Sequence, residues 1–143
     1  MIFKEINHPD DLNIAFQIRI NVFVNEQGVP LEDELDEFDT LNDSCNHILA
    51  YYQDQPVGTG RIRFVDGVGK LERICILKDY RKFGLGKLII AGLESIAMEK
   101  GINKFKLHGQ THAEGFYQKL GYQAASEVFI EDGIPHLLMQ KTL

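Results

Sequence analysis

The stretch LERICILKDYRKFGLGKLII, residues 71–90, decides how this chain folds. Its apolar run at 74–77 predicts a buried strand, and the apolar spacing from Leu85 onward predicts an amphipathic helix. The loop between them carries cations and two glycines, Gly84 and Gly86. A strand, a basic glycine loop and a helix N-terminus favour an anion, because backbone N–H groups and the helix dipole both attract negative charge. The stretch therefore predicts a pyrophosphate-binding site.

Two common phosphate-binding motifs do not fit this loop. A P-loop requires Ser or Thr after its lysine to hold magnesium, whereas Lys87 is followed by Leu88. A dinucleotide fingerprint requires a third glycine three residues after the second, and that position is Ile89. The pattern that remains is Arg81-x-x-Gly84-x-Gly86.

Composition limits the class of protein. The chain has 143 residues, of which 44% are hydrophobic and 25% charged, as expected for one soluble globular domain over residues 1–143. Its net charge of −6 argues against nucleic acid as the main partner. No apolar run approaches the roughly 20 residues of a membrane span, and no signal segment is evident, so we expect a cytoplasmic protein without a membrane partner. The two cysteines, Cys45 and Cys75, show no disulfide or metal spacing, and we expect no metal site.

The remaining pattern predicts elements in the order β, α, (α), β, β, β, α, β, α, β, β. The first helix is expected to run to about residue 25, Asp66-Gly67 to form a hairpin turn, and the last two strands to cover 125–130 and 136–140. Meandering strands followed by a β-α-β unit indicate a mixed sheet with helices on its faces.

Two segments of the chain resemble one known family. Residues 81–86 resemble the acetyl-CoA motif of the GNAT-type N-acetyltransferases, Arg/Gln-x-x-Gly-x-Gly/Ala after a strand. Gln110 with the segment AEGFYQKLGY at 113–122 resembles the second motif of that family, Asn-x-x-Ala-x-x-Phe-Tyr-x-Lys-x-Gly-Phe. The family's asparagine is Gln110 here, and Lys82 stands where glycine is usual. The segments NVFVNEQGVP and GIPH also resemble a small bacterial branch of the family.

The resemblance implies a fold and a function. The fold would be α+β (mixed α/β) and GNAT-like, with a central, mostly antiparallel sheet of six to seven strands and about four helices. The protein would move an acetyl group from acetyl-CoA to an unidentified amine by direct transfer in a ternary complex. The alternatives are a non-catalytic module that binds acyl-CoA as a regulatory ligand, and an interaction domain with a vestigial pocket. A homodimer is a further expectation.

The resemblance also implies a cofactor site built from both motifs. The strand at 74–76 would offer backbone groups to the pantetheine arm, and the glycine loop would wrap the pyrophosphate. The residues expected to contact the cofactor are Ile74, Cys75, Ile76, Arg81, Lys82, Phe83, Gly84, Leu85, Gly86, Lys87, Gln110, Phe116 and Tyr117.

Acetyl transfer to an amine requires two proton transfers. A lysine-like amine has a pKa near 10 and must lose a proton, while the departing thiolate must gain one. Tyr117 occupies the position of the family's tyrosine and is the expected general acid; its alternative role is core packing. Glu72 and Glu26 are equal candidates for the base, with solvent as a third route. Glu72 shares strand parity with Ile74 and Ile76, and its alternative role is a salt bridge with Arg63.

Other polar residues receive structural interpretations. His136 is expected to be a structural histidine more often than a substrate contact, and His108 with His112 is not expected to bind metal. The acidic run at 32–39 contains six carboxylates. We interpret it as a solvated face, with attraction of a cationic substrate as the alternative.

Overall fold

A computed structural model of the protein describes residues 1–42 and 44–143. The strands are β1 (Ile2–Glu5), β2 (Cys45–Tyr52), β3 (Gln55–Val65), β4 (Val68–Ile76), β5 (Lys104–Gln110), β6 (Gln123–Ala124), β7 (Phe129–Glu131) and β8 (Ile134–Thr142). The α-helices are α1 (Pro9–Arg19), α2 (Leu31–Glu34), α3 (Leu85–Glu99) and α4 (Glu114–Lys119). A π-helix (Ile20–Glu26) and two 3-10 helices (Lys78–Phe83 and Thr111–Ala113) connect them.

One mixed sheet contains all eight strands, in the order β1-β2-β3-β4-β5-β8-β6, and β7 also pairs with β8. Neighbouring strands are antiparallel except β4 and β5, which are parallel. The predicted mixed, mostly antiparallel sheet with about four helices is therefore confirmed, and among the described residues it has eight strands where six to seven were expected.

The strand predicted over 125–130 is instead the two short strands β6 and β7. Ala124 pairs with Met139 and Phe129 pairs with His136 on β8. Between these pairs the Ser126 hydroxyl accepts a hydrogen bond from the backbone N–H of Leu138 at 2.9 Å. A side-chain oxygen thus replaces a ladder bond and ends the strand pairing.

The first helix extends to Glu26, close to the predicted end, but it changes from an α-helix to a π-helix. The α-helix α1 ends at Arg19, and Ile20–Glu26 form a π-helix. Gln27 closes the wider turn by donating its backbone N–H to the Val22 carbonyl at 3.0 Å. Within the described residues, no helix has the length and apolar character that crossing a bilayer requires.

Each face of the sheet carries its own apolar core. The face under α3 buries Ile62, Leu71, Ile89, Leu93 and Met139. The opposite face packs α1 against Leu49 and Cys75. Helix α3 lies close to the sheet because Gly60 has no side chain: a Cβ there would stand 2.8 Å from Ile89.

The sheet opens between β4 and β5. The two strands pair only over Gly69–Leu71 and Phe105–Leu107. Beyond that point β4 contains a bulge at Arg73, whose φ is +55°, so that Glu72 pairs with Arg61 while Cys75 pairs with Thr59. The extra residue reverses the side-chain alternation. The prediction that Glu72 shares a face with Ile74 and Ile76 is therefore wrong: Glu72 lies on the α1 face, and both isoleucines pack into the core under α3.

Candidate active site

A cleft of about 700 Å³ occupies the opening between β4 and β5. It reaches from Gly84, Gly86 and Tyr117 on the side of α3 to Glu72 and His136 on the side of α1. The predicted residues of the two motifs therefore border one space, and that space passes through the sheet.

The loop wall of the cleft consists of residues 81–86 and the N-terminus of α3. Gly84 has φ of +79°, a left-handed conformation that suits glycine, and it both ends the 3-10 helix and begins α3. No side chain among the described residues caps this N-terminus. The first N–H groups of a 15-residue helix are thus available to a bound anion. Lys82 and Lys87 are exposed beside them.

The two sequence motifs meet at Gly86. A Cβ on Gly86 would lie 3.0 Å from Cζ of Phe116, so the absence of a side chain lets α4 approach the loop wall. Phe116 packs edge-on against Tyr117, with ring centroids 5.1 Å apart.

Several residues predicted to contact a cofactor direct their side chains into the core. Leu85, the first residue of α3, is fully buried, and Phe83 stacks on Tyr52 with ring centroids 4.2 Å apart. Cys75 is buried on the α1 face. These residues can therefore offer a ligand backbone groups rather than side chains.

Arg81 and Glu26 form an ion pair at the outer edge of the cleft. The guanidinium nitrogens lie 2.5 and 2.6 Å from the two carboxylate oxygens, and Arg81 Nε donates to the Ile76 carbonyl at 2.9 Å. The hydrogen bonds from Arg81 hold the pKa of Glu26 below its usual range. Glu26 lines a separate hollow beside the cleft.

Tyr117 lies where the cleft passes through the sheet. Its ring packs on Gly109, where a Cβ would stand 3.0 Å from the ring, and edge-on against Tyr122. Burial raises the pKa of Tyr117 to about 12. With this pKa the hydroxyl keeps its proton at neutral pH. No described residue hydrogen-bonds to the hydroxyl, so it is available to donate to a ligand.

Glu72 belongs to the ion-pair wall, which consists of Asp36, Arg61, Arg63, Lys70 and Glu72. Its carboxylate lies within 2.8–3.1 Å of the two arginines and the lysine. Burial opposes its ionisation, but the hydrogen bonds and charges of these cations lower its pKa to about 2. The alternative interpretation of Glu72, a salt bridge with Arg63, is thus observed.

The acidic run is only in part the solvated face that the sequence predicted, because Glu34 is buried and Asp39 half-buried while its other carboxylates are exposed. Arg19 and Arg61 are almost completely buried, at 1% and 2% exposure. Arg19 binds Glu34 and Asp39, and Arg61 binds Asp36 and Asp39. The segment after α2 thus folds over the α1 face because its carboxylates neutralise two buried guanidinium groups. Sequence reasoning missed both arginines, since neither lies in a charge run.

His108, Glu131 and His136 form a cluster in the lining of the cleft. His108 Nδ1 lies 2.9 Å from Oε1 of Glu131, and His136 Nε2 lies 3.7 Å from Oε2. His136 Nδ1 lies 2.7 Å from the Ile134 carbonyl. Within the described part of the chain, no group of three or more His, Cys, Asp or Glu side chains is arranged to hold a metal ion.

Gln110 joins β5 to the chain that follows the π-helix. Its amide nitrogen donates to Oε1 of Gln27 at 3.0 Å, and its oxygen lies 2.7 Å from His112 Nε2. Gln110 thus fixes the two sides of the cleft to each other near the start of α4.

Comparisons with known proteins agree with this geometry. The model of the family described as acetyltransferase (GNAT) domain matches residues 18–143. A Bacillus subtilis (strain 168) protein named as an acetyltransferase is 64% identical over 141 residues, which cover 99% of this chain and 96% of the relative. A Lactobacillus plantarum crystal structure that is described as an N-acetyltransferase has a TM-score of 0.87 and 32% identity, covering 100% of this chain and 99% of that one.

A more distant solved structure shares the fold. It is an aminoglycoside 6'-N-acetyltransferase in complex with coenzyme A, with a TM-score of 0.79 and 19% identity, covering 99% of this chain and 97% of that one.

Proposed function

The chain belongs to the GNAT acetyltransferase family, and from this premise we propose that it transfers an acetyl group from acetyl-CoA directly to an amine. The observation that carries the proposal is the cleft between β4 and β5, which has an uncapped helix N-terminus at one end and Tyr117 within it. The cleft gives a thioester and an amine access to each other from opposite faces of the sheet.

Acetyl-CoA would occupy the α3 side of the cleft. Its pyrophosphate would accept hydrogen bonds from the first turn of α3, with Lys82 and Lys87 adding positive charge. Its pantetheine arm would extend along β4 beyond Leu71, where β5 no longer pairs with that strand. The structural neighbour that holds coenzyme A supports this assignment through its shared fold.

The transfer would need no acyl-enzyme intermediate. Burial raises the pKa of Cys45 to about 12 and holds the pKa of Cys75 well above its usual range. Both groups are therefore thiols rather than thiolates at neutral pH, and a thiol is a weak nucleophile. The amine would attack the thioester carbonyl itself, and the Tyr117 hydroxyl would protonate the departing sulfur.

Titration calorimetry and a thiol-release assay test the proposal. We expect both CoA and acetyl-CoA to bind, and thiol release to depend on an amine from a panel of ethylamine, spermidine, a lysine peptide and an aminoglycoside. Tyr117→Phe should leave the Kd for CoA unchanged and lower kcat by about 10²-fold or more. Tyr51→Phe, a tyrosine on β2 outside the cleft, is the matched control.

The two assays separate this proposal from its rivals. Binding of acetyl-CoA without thiol release on any amine would support a regulatory acyl-CoA-binding module. The absence of binding would overturn the assigned site. Equal losses of binding and rate in Tyr117→Phe would assign Tyr117 to packing.

A further inference from the structure

The two carboxylates predicted as bases are both held by cations. Glu72 is surrounded by two arginines and a lysine, which lower its pKa to about 2. Glu26 forms two hydrogen bonds with Arg81 and does not line the cleft. A carboxylate stabilised as an anion in this way is a poor acceptor for the proton of an alkylammonium ion.

His136 lies on β8, across the opening between β4 and β5 from Glu72. In the sheet, His136 pairs with Gln110 of β5. The residue before Gln110 is Gly109, which contacts the Tyr117 ring on the α3 side of the sheet. Because successive residues of a strand face opposite sides, Gln110 and its partner face the α1 side. The His136 side chain therefore faces the α1 side of the cleft, where an acceptor can approach without passing the loop wall.

The tautomer of His136 is fixed by its backbone contact. A carbonyl oxygen only accepts hydrogen bonds, so Nδ1 must carry a proton to bond the Ile134 carbonyl at 2.7 Å. The other nitrogen, Nε2, then has a free lone pair in the neutral ring. Phe129 stacks on the ring with an interplanar angle of 22° and holds its plane.

Glu131 lies beside the His136 ring. Its Oε1 accepts a hydrogen bond from His108 Nδ1 at 2.9 Å, which holds the carboxylate in place. Its Oε2 lies 3.7 Å from His136 Nε2, so an imidazolium formed there would face a negative charge. His108 and Glu131 are thus placed to orient the His136 ring.

We propose that His136 Nε2 is the base that deprotonates the acceptor amine, with Glu131 as its positioning residue; this assignment rests on the proposed acetyl transfer. The alkylammonium acceptor gives one proton to Nε2, and its lone pair then forms the C–N bond at the thioester carbonyl. The C–S bond breaks, and the sulfur takes a proton from Tyr117, which regains one from the new amide nitrogen. His136 releases its proton to water, so the net products are an amide, CoA as a thiol and one proton.

A pair of amines of similar shape and different basicity tests this role. Ethylamine is an ammonium ion at neutral pH, whereas trifluoroethylamine is mostly neutral and needs no base before attack. His136→Asn keeps a side-chain N–H for the Ile134 carbonyl and removes the basic nitrogen. We expect it to lower kcat/KM for ethylamine by about 10²-fold or more and for trifluoroethylamine by only a few-fold, with the Kd for CoA unchanged.

Two further variants keep the test independent of folding defects. Glu131→Gln keeps His136 and should show the same contrast between the two amines with a smaller loss. Glu127→Gln, an exposed acid between β6 and β7, is the control and should change neither rate. A structural role for His136 predicts equal losses on both amines, and that result, or no loss on either, would overturn the assignment. A wild-type protein that releases no thiol with these two amines or with any amine of the panel would instead overturn the proposed function, and the role of His136 with it.

Discussion

The loop wall and the ion-pair wall border the same cleft but are built in opposite ways. The loop wall uses backbone groups from one continuous stretch, and its main ion pair, Arg81 with Glu26, is solvent-exposed. The ion-pair wall uses side chains from β3, β4 and the segment after α2, and its central residue, Arg61, is 2% exposed.

This difference separates binding from stability. An exposed ion pair contributes ~0–1 kcal/mol to folding, whereas removing one partner of a buried pair costs about 3–5 kcal/mol because a charge is left uncompensated. We therefore expect changes in the ion-pair wall to affect the free energy of unfolding, and changes in the loop wall to affect the Kd for CoA.

Arg61→Met should have the largest effect. Arg61 binds Asp36, Asp39 and Glu72, and its loss leaves these carboxylates partly or fully buried without their shared cation. We expect a loss of about 3–5 kcal/mol in the free energy of unfolding, measured by urea denaturation. The folded fraction should bind CoA with the wild-type Kd.

Arg63→Met is the matched control for that variant. Arg63 also pairs with Glu72 and lies 4.0 Å from the Phe38 ring centroid, but its side chain is more exposed. Its substitution should cost about 1 kcal/mol. Equal losses for the two arginines would contradict the distinction between fully buried and partly buried charge.

Glu72→Gln should remove part of the acid sensitivity of the fold. The folded-state pKa of Glu72 is depressed from 4.5 to about 2. A depressed pKa contributes stability above the unfolded value, and this contribution is lost as the pH falls through the window from 4.5 to about 2. The wild type should thus exceed the variant by about 3 kcal/mol at neutral pH, with the gap narrowing below ~pH 4.5.

Urea denaturation at neutral pH and at ~pH 3 measures this gap. Glu127→Gln serves as control, because an exposed carboxylate should leave the pH dependence unchanged. A gap that stays constant across the acid range would show that the charge of Glu72 does not stabilise the fold.

The sequence predicted the loop wall because that wall is local in the chain. Gly84, Gly86 and the start of α3 are neighbours at fixed spacing, and the second motif adds Phe116 and Tyr117 in one short segment. The same locality explains why the sheet, α3 and the order of elements could be predicted.

The ion-pair wall could not be predicted because its partners are distant in sequence. Arg61 is separated from Asp36 by 25 positions and from Asp39 by 22. The contact of His136 with Glu131 is local, but it depends on a turn after β7, whose bounds differ from the predicted strand. No residue in the sequence indicated the bulge at Arg73 either, because the φ of +55° is adopted here by an arginine and not by a glycine. Its single extra position moved Glu72 to the other face of the sheet.

Gly86→Ala, unlike Arg61→Met, should weaken CoA binding more than it lowers the free energy of unfolding. The new Cβ would stand 3.0 Å from Cζ of Phe116, an exposed ring that can move aside, so we expect less than about 1 kcal/mol of destabilisation. The displaced ring and the added methyl group would obstruct the approach to the helix N-terminus and weaken CoA binding about tenfold, or ~1.4 kcal/mol. Gly115→Ala, where a Cβ meets open space, is the control measured by the same calorimetry.

Substitutions of Arg81 and Glu26 should have the smallest effects on stability, but their effects on CoA binding should differ in sign. The pair is exposed, so Arg81→Gln and Glu26→Gln should each alter the free energy of unfolding by less than ~1 kcal/mol. Their effects on CoA binding should have opposite signs. Arg81→Gln removes a cation beside the expected pyrophosphate and should weaken binding several-fold, an effect of ~1 kcal/mol. Glu26→Gln removes a competing anion and frees Arg81, so it should tighten binding.

The rate of Glu26→Gln decides between two functions of this carboxylate. A base at Glu26 predicts a fall in kcat of about 10²-fold or more when its charge is lost. A carboxylate that only pairs with Arg81 predicts tighter CoA binding with nearly unchanged kcat, because His136, and not Glu26, would accept the proton of the amine. Tighter binding in Glu26→Gln that disappears in the double variant with Arg81→Gln would show that the loop wall exchanges an internal carboxylate for the phosphates of its ligand.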